Sequence, residues 1–147
     1  MHLTDLLLVE DHDADVMLVQ EAVASAGVDV AVHVVRDGVE ALSFLRQEGM
    51  YARCPDVQLV LLDANTPRMN ACEVLSELRA DDTTRDLPVV VFSSSARLAD
   101  IHGCLEEGAS GYIVKPNDFP GFMAIIHELL MDWQRAVTRS GRHAGRL

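Results

Sequence analysis

The chain has 147 residues, 49% hydrophobic and only 5% aromatic, which points to a single soluble domain with an aliphatic core. Its formal charge of -11 disfavours nucleic acid and anionic membranes as direct partners, because both require a basic footprint. No run approaches eighteen apolar residues, and the start, Met-His-Leu-Thr-Asp, has neither the basic head nor the long apolar core of a signal peptide, so a cytoplasmic protein is expected.

The charge is uneven. Arg135, Arg139, Arg142 and Arg146 crowd the last thirteen residues, leaving the rest of the chain more acidic than the total implies. Cys54, Cys72 and Cys104 are odd in number and form no Cys-x-x-Cys pair, so reduced thiols without an assigned role are expected.

In chain order, residues 6–9 form a short apolar run that reads as a first strand and ends in Glu10-Asp11. A helix follows from Asp13, with Ala14, Met17, Leu18 and Ala22 at spacings of three and four as its inward face and Gly27 as its stop. Residues 30–35 are rich in β-branched side chains and read as a second strand, ending at Arg36-Asp37-Gly38. The next helix covers 39–48, with Leu42 and Leu45 inward, and 49–56 is a loop.

Residues 59–62, between Pro55 and the Asn65-Thr66-Pro67 turn, are too few for a helix and suit a strand buried on both faces. Asp63 stands where that run ends. A third helix over 72–80 buries Val74, Leu75 and Leu78. A fourth strand over 89–92 ends in Ser93-Ser94-Ser95, and the fourth helix sets Leu98, Ile101 and Leu105 on one side before Gly108. Residues 112–114 form a fifth strand, ending in Lys115-Pro116. The last helix begins near Asp118 and carries Phe119, Phe122, Met123, Ile126, Leu129, Leu130 and Trp133 at three and four. Running to about Val137, it would reach roughly 30 Å, more than one small sheet needs to cover.

Five strand-helix units in alternation predict an α/β domain, a parallel sheet with helices on both faces. Parallel strands gather their carboxyl ends at one edge, where ligands bind, so Glu10-Asp11, Asp63, Ser93 and Lys115 are expected to meet there. Carboxylates so close together call for raised pKa values or a cation between them. Oxygen ligands favour a hard cation, and Mg²⁺ is the usual choice where phosphate is also bound. Lys115 and Ser93 could then receive the oxygens of a phosphoryl group arriving on Asp63.

The same residues carry a family resemblance over nearly the whole chain. Leu-Leu-Val-Glu-Asp ending at Asp11, Leu-Leu-Asp ending at Asp63, the Pro67 turn, Ser93-Ser94, Tyr112 and Lys115-Pro116 resemble the motifs of response-regulator receiver domains of two-component signalling. They stand in order, 30 residues from Asp63 to Ser93 and 22 from Ser93 to Lys115. The resemblance implies a flavodoxin-like (βα)5 domain over residues 1–138 with sheet order 2-1-3-4-5, and a basic C-terminal extension over 139–147 with no effector domain.

It also implies roles. Asp63 would be the phosphoacceptor, taking its group from the phosphohistidine of a sensor histidine kinase or phosphotransfer protein. Asp11 and Asp63 would hold Mg²⁺, Glu10 would assist through water, and the backbone carbonyl of Asn65 would be the remaining protein ligand. Lys115 and Ser93 would contact the phosphoryl group, and Ser93 with Tyr112 would form the switch. The 34–49 stretch and Trp133 further resemble the regulators that partner phytochrome-type kinases. Ala71 stands where the family usually has Gly, and a positive φ at Asn70 or Ala71 would reshape that loop.

Output is then expected through other proteins, with no enzymatic turnover. A homodimer is expected through the fourth helix, fifth strand, fifth helix and C-terminal extension, with Leu130, Trp133 and Val137 at the interface. Three rivals are weaker. A haloacid-dehalogenase-type hydrolase needs an acid where Asn65 stands, a flavin module needs a phosphate loop where Glu10-Asp11-His12-Asp13 stands, and a non-phosphorylated scaffold has no need of these residues. His12 reads as a solvated helix-start residue, and Met17 and Met123 read as core.

Overall fold

The computed structural model describes residues 4–144, with side chains to residue 137. Five parallel strands, β1 (Thr4–Val9), β2 (Val30–Val35), β3 (Leu59–Asp63), β4 (Val89–Ser93) and β5 (Gly111–Val114), form one sheet in the order β2-β1-β3-β4-β5. The helices are α1 (Asp13–Ser25), α2 (Gly38–Leu45), α3 (Ala71–Ala80), α4 (Leu98–Glu106) and α5 (Phe119–Ala144), and a 3-10 turn occupies Gly49–Tyr51. The chain is therefore the doubly wound α/β domain that the alternation predicts.

The two-residue period of a strand divides the core. Leu7, Val9, Val60, Leu62, Val89 and Val91 point to the face covered by α2, α3 and α4. Leu6, Leu8, Leu59, Leu61, Val90 and Phe92 point to the other, where α1 and α5 supply Val16, Val19, Phe122, Ile126 and Leu130. The central strands β1, β3 and β4 are thus apolar at nearly every position.

Two helices pack differently from the periodicity reading. In α1 the buried residues are Val16, Val19, Ala22 and Val23, while Ala14 is exposed and Met17 is 68% exposed. The stripe through Ala14, Met17 and Leu18 runs into Glu21 one turn later, whereas the stripe through Val16, Val19 and Val23 stays apolar. Met17 is therefore not core, and Met123 is only partly buried. In α4, Leu98 and Leu105 are exposed, Ile101 is half-buried, and Cys104 is the buried residue.

α5 continues past the expected end near Val137 to Ala144, so the backbone of much of the basic extension is helical. The side chains of Arg139, Arg142 and Arg146 lie outside the described residues.

Candidate functional site

The register brings the site together. Val9 pairs with Leu62, and Asp63 with Phe92, so Glu10 and Asp63 emerge side by side at the carboxyl edge. The Lys115 N–H donates to the Ser93 carbonyl at 2.7 Å, which fixes the start of the β5–α5 loop at the same edge. Glu10, Asp63 and Ser93 are as buried as the core beneath them.

The Lys115 side chain crosses β4 and β3 toward β1. Its Nζ donates to Glu10 Oε1 at 2.8 Å, Asp15 Oδ2 at 2.8 Å and Asp63 Oδ2 at 3.3 Å, and lies 5.3 Å from the centroid of the Phe92 ring. Three carboxylates therefore share one ammonium. Burial alone would lower the pKa of Lys115, but its bonds to Asp15 and Glu10 and the charge of Asp63 raise it, so it stays charged. Burial, reinforced by Asp63, pushes Glu10 up to about 7. Burial acts on Asp63 in the same sense. There it is outweighed by hydrogen bonds from Glu10 and the Asn65 N–H and by the Lys115 charge, which hold Asp63 below the usual carboxylate range. One member of the pair is thus kept anionic while its neighbour carries the strain.

Asp11 and His12 complete the cluster. His12 Nδ1 lies 2.9 Å from Glu10 Oε2, 3.4 Å from Asp11 Oδ1 and 3.7 Å from Asp63 Oδ2. Its hydrogen bond to Glu10 and the charge of Asp11 raise its pKa. Glu10, Asp11, His12 and Asp63 each offer a ligand atom, all within 4.8 Å of one another. A set dominated by carboxylate oxygens, with negative charge beyond what Lys115 neutralises, suits a hard divalent cation.

Asn65 donates its N–H to Asp63 Oδ1 at 3.0 Å, which sets its peptide beside the carboxylate. The loop that follows is not reshaped at Asn70 or Ala71. Asn70 has φ -79° and caps α3 in a reciprocal capping box with Glu73, and Ala71 is the first, buried residue of that helix. The left-handed residue is Arg68, at φ 64°. Its guanidinium grips Asp37 in bidentate fashion, Nε to Oδ2 at 2.9 Å and Nη2 to Oδ1 at 3.0 Å, while Asp37 also caps α2 by accepting from the Glu40 N–H. Gly38 permits that approach, since a Cβ there would lie 2.3 Å from the Met69 carbonyl oxygen.

On the other side of Asp63, Ser93 Oγ accepts from the Ser95 N–H at 3.1 Å, and the Tyr112 hydroxyl donates to the Ser95 carbonyl at 2.9 Å. Ser93, Asn65 and Tyr112 line one cavity of about 250 Å³. Ser93 and Tyr112 are thereby linked through the β4–α4 loop.

Glu10, Asp11, Asp63, Asn65, Ser93 and Lys115 are gathered as the sequence predicts, with Tyr112 next to them. His12 is the exposed helix-start residue expected, at the N-cap of α1, and its ring also reaches Glu10; Asp15 is a member that no motif marks. For Asp15 the available signal was its place one helical turn beyond Asp11. The three interface residues lie elsewhere. Trp133 is half-buried, and its Nε1 donates to Thr4 Oγ1 at 3.3 Å, at the opposite end of β1. Leu130 is 1% exposed and packs inside the domain against the sheet, so it has no surface to give an interface. Val137 is half-buried.

Comparison with known proteins agrees with this geometry. Residues 6–127 match the model of the response regulator receiver domain. Response regulator Rcp1 of Synechocystis sp. is 33% identical over 133 residues, which cover 90% of this chain and 90% of that protein. The crystal structure of the phosphorylated cyanobacterial phytochrome response regulator RcpA superposes with a TM-score of 0.86 at 38% identity, over 90% of this chain and 95% of that one. The Mn²⁺-bound form of Rcp1 gives a TM-score of 0.83 at 32% identity, over 88% and 94% of the two chains. With its motifs, its sheet order and these relatives in agreement, the chain belongs to the response regulator receiver domain family.

Proposed function

We propose that Asp63 accepts a phosphoryl group from the phosphohistidine of a sensor histidine kinase or phosphotransfer protein, in a Mg²⁺-dependent reaction, and that the result is read by other proteins. The observation that carries this reading is the single ammonium of Lys115, held against Asp63 at an open sheet edge and shared with two further carboxylates.

An anionic Asp63 oxygen attacks phosphorus, the phosphorus–nitrogen bond breaks, and its electron pair returns to the partner's imidazole. Asp11 and Asp63 would hold the metal, with Glu10 through water and the Asn65 carbonyl as a further ligand. A divalent cation bound there offsets the charge of the carboxylates and of the incoming phosphoryl oxygens. Lys115 already spans Asp63 and Asp15, and it turns onto a phosphoryl oxygen with little movement. Ser93 turns its hydroxyl to the new group and gives up its bond from the Ser95 N–H. The β4–α4 loop moves with it and releases the Tyr112 hydroxyl from the Ser95 carbonyl.

Likeness to RcpA and Rcp1 supports a place in phytochrome-type signalling, and we read the chain as a cytoplasmic signalling protein that turns over no phosphate ester. The exposed Leu98, Leu105 and Val114 support a homodimer through α4, β5 and α5, joined by Val137 and the exposed edge of Trp133. Any part played by the C-terminal side chains lies outside the described residues.

Incubation with Mg²⁺ and acetyl phosphate, with intact mass read for wild type and Asp63→Asn, tests the acceptor. An adduct on wild type alone is expected. No adduct at saturating Mg²⁺ would leave the scaffold reading in its place. A mass in solution that stays monomeric at all concentrations would dispose of the dimer.

A further inference from the structure

The cavity beside Ser93 and Tyr112 holds a second chemistry that phosphoryl transfer does not use. Cys72, in the first turn of α3, and Cys104, the buried residue of α4, both line it, together with Ser95 and Asp100. Cys72 is exposed and Cys104 is 5% exposed. Cys72 and Cys104 come to this one cavity from α3 and α4, two helices that pack against each other. Burial, followed by the nearby Cys72 sulfur, pushes the Cys104 thiol up to about 11, so Cys104 is a poor first nucleophile. Cys54 does not line this cavity and lies in the loop before β3, where its N–H donates to the Tyr51 carbonyl.

We propose that Cys72 and Cys104 form a reversible disulfide with a peroxide as oxidant, stapling α3 to α4 beside the Ser93–Tyr112 pair. The exposed Cys72 sulfur attacks one peroxide oxygen, the oxygen–oxygen bond breaks, and hydrogen peroxide yields a sulfenic acid and one water. The Cys104 sulfur then attacks the Cys72 sulfur, the sulfur–oxygen bond breaks, and the hydroxyl leaves with the Cys104 proton as a second water. Each sulfur loses one electron and the peroxide oxygens gain two. A dithiol reductant reverses the bond by exchange. In a reducing compartment such a pair serves sensing and not stability.

The staple falls on the residue that anchors α4. Cys104 is the only buried side chain of that helix and packs into the core, so the disulfide adds a covalent tie where packing alone holds the helix. With α4 pinned, the β4–α4 loop has less freedom to follow Ser93. This consequence rests on the switch described under the proposed function, whereas formation of the bond does not.

The whole chain is treated with hydrogen peroxide, unfolded, alkylated and mapped by mass. The expected product is a monomer that has lost two hydrogens, with Cys72 and Cys104 peptides linked and alkylation restored by dithiothreitol. Cys54→Ser leaves this unchanged and Cys72→Ser, at an exposed position, abolishes it. Oxygen added to Cys72 while Cys104 remains alkylatable, or linkage between two chains through Cys72, would overturn the proposal. Hydrogen exchange in α4 reads the staple itself, and oxidation is expected to slow it about tenfold. Unchanged exchange in the linked protein would overturn the stapling. Acetyl phosphate and Mg²⁺ added to the reduced protein test the acceptor separately, so failure of phosphorylation and failure of the disulfide are distinguished.

Discussion

Leu62 and Asp63 are consecutive residues of β3 and are buried almost equally, at 0% and 4% exposed, yet they belong to opposite environments. Below that step the strands are packed by aliphatic side chains on both faces. Above it, Glu10, Asp63 and Ser93 are buried among charges and hydrogen bonds. Depth in this molecule therefore does not predict what a residue contributes: the lower region supplies stability, and the upper one spends some of it to hold carboxylates together.

The sharpest way to break this contrast is to hollow the lower region. Leu130→Ala should cost about 2–5 kcal/mol, read from denaturant midpoints, because a fully packed side chain leaves a cavity behind. A cost below about 1 kcal/mol would mean that the α5 face is not close-packed.

In the upper region the size of the effect depends on which charge is removed. Lys115→Met leaves Glu10, Asp15 and Asp63 without their shared cation, and should cost about 2 kcal/mol, less than a fully buried pair because the edge opens to solvent. Added Mg²⁺ should recover part of that loss. Asp63→Asn should cost less, about 1 kcal/mol in metal-free buffer, because it removes an anion that Lys115 and the Asn65 N–H stabilise while easing the crowding on Glu10. A stabilised Asp63→Asn would show that the carboxylate repulsion outweighs the Lys115 pairing.

The smallest effect is the pH dependence of Glu10. Its pKa is raised on folding, from 4.5 to about 7. Protons are therefore bound more tightly in the folded state, and the stability this brings is full below about pH 4.5 and lost as pH rises through about 7. Metal-free denaturation of wild type and Glu10→Gln at about pH 5 and about pH 8 should show wild type losing ground to the variant at the higher pH. Parallel curves would place the pKa of Glu10 near its ordinary value.

The division between the two regions also explains what could be read from the sequence. The lower region is written as short apolar runs, and the polar residue ending each run marks the edge, so the sheet and Asp63, Asp11, Ser93 and Lys115 were legible. The phase of α1 was not, because Ala14-Met17-Leu18 and Val16-Val19-Val23 both fit a helical period, and only packing against the sheet selects between them. Asp15 enters the site through the placement of α1, whereas His12 is carried there as the direct neighbour of Glu10-Asp11. The left-handed residue, expected near Ala71, is Arg68, where the bond to Asp37 spans 31 residues and is invisible to local pattern. Leu130 fits the apolar stripe of α5 either as core or as interface, and periodicity alone does not separate the two.

α4, anchored by one buried thiol between two strongly packed neighbours, is in effect an element whose free-energy gap to a displaced state is small compared with the stability of the domain. A hydrogen bond gained or lost at Ser93 or Tyr112, about 0.5–1.5 kcal/mol, acts directly on the loop that leads into this helix. Under the proposed phosphorylation of Asp63, the domain would transmit information by redistributing the positions of one helix while the remainder stays at its energy minimum, and Leu98 and Leu105, both exposed, are free to be selected for what they touch.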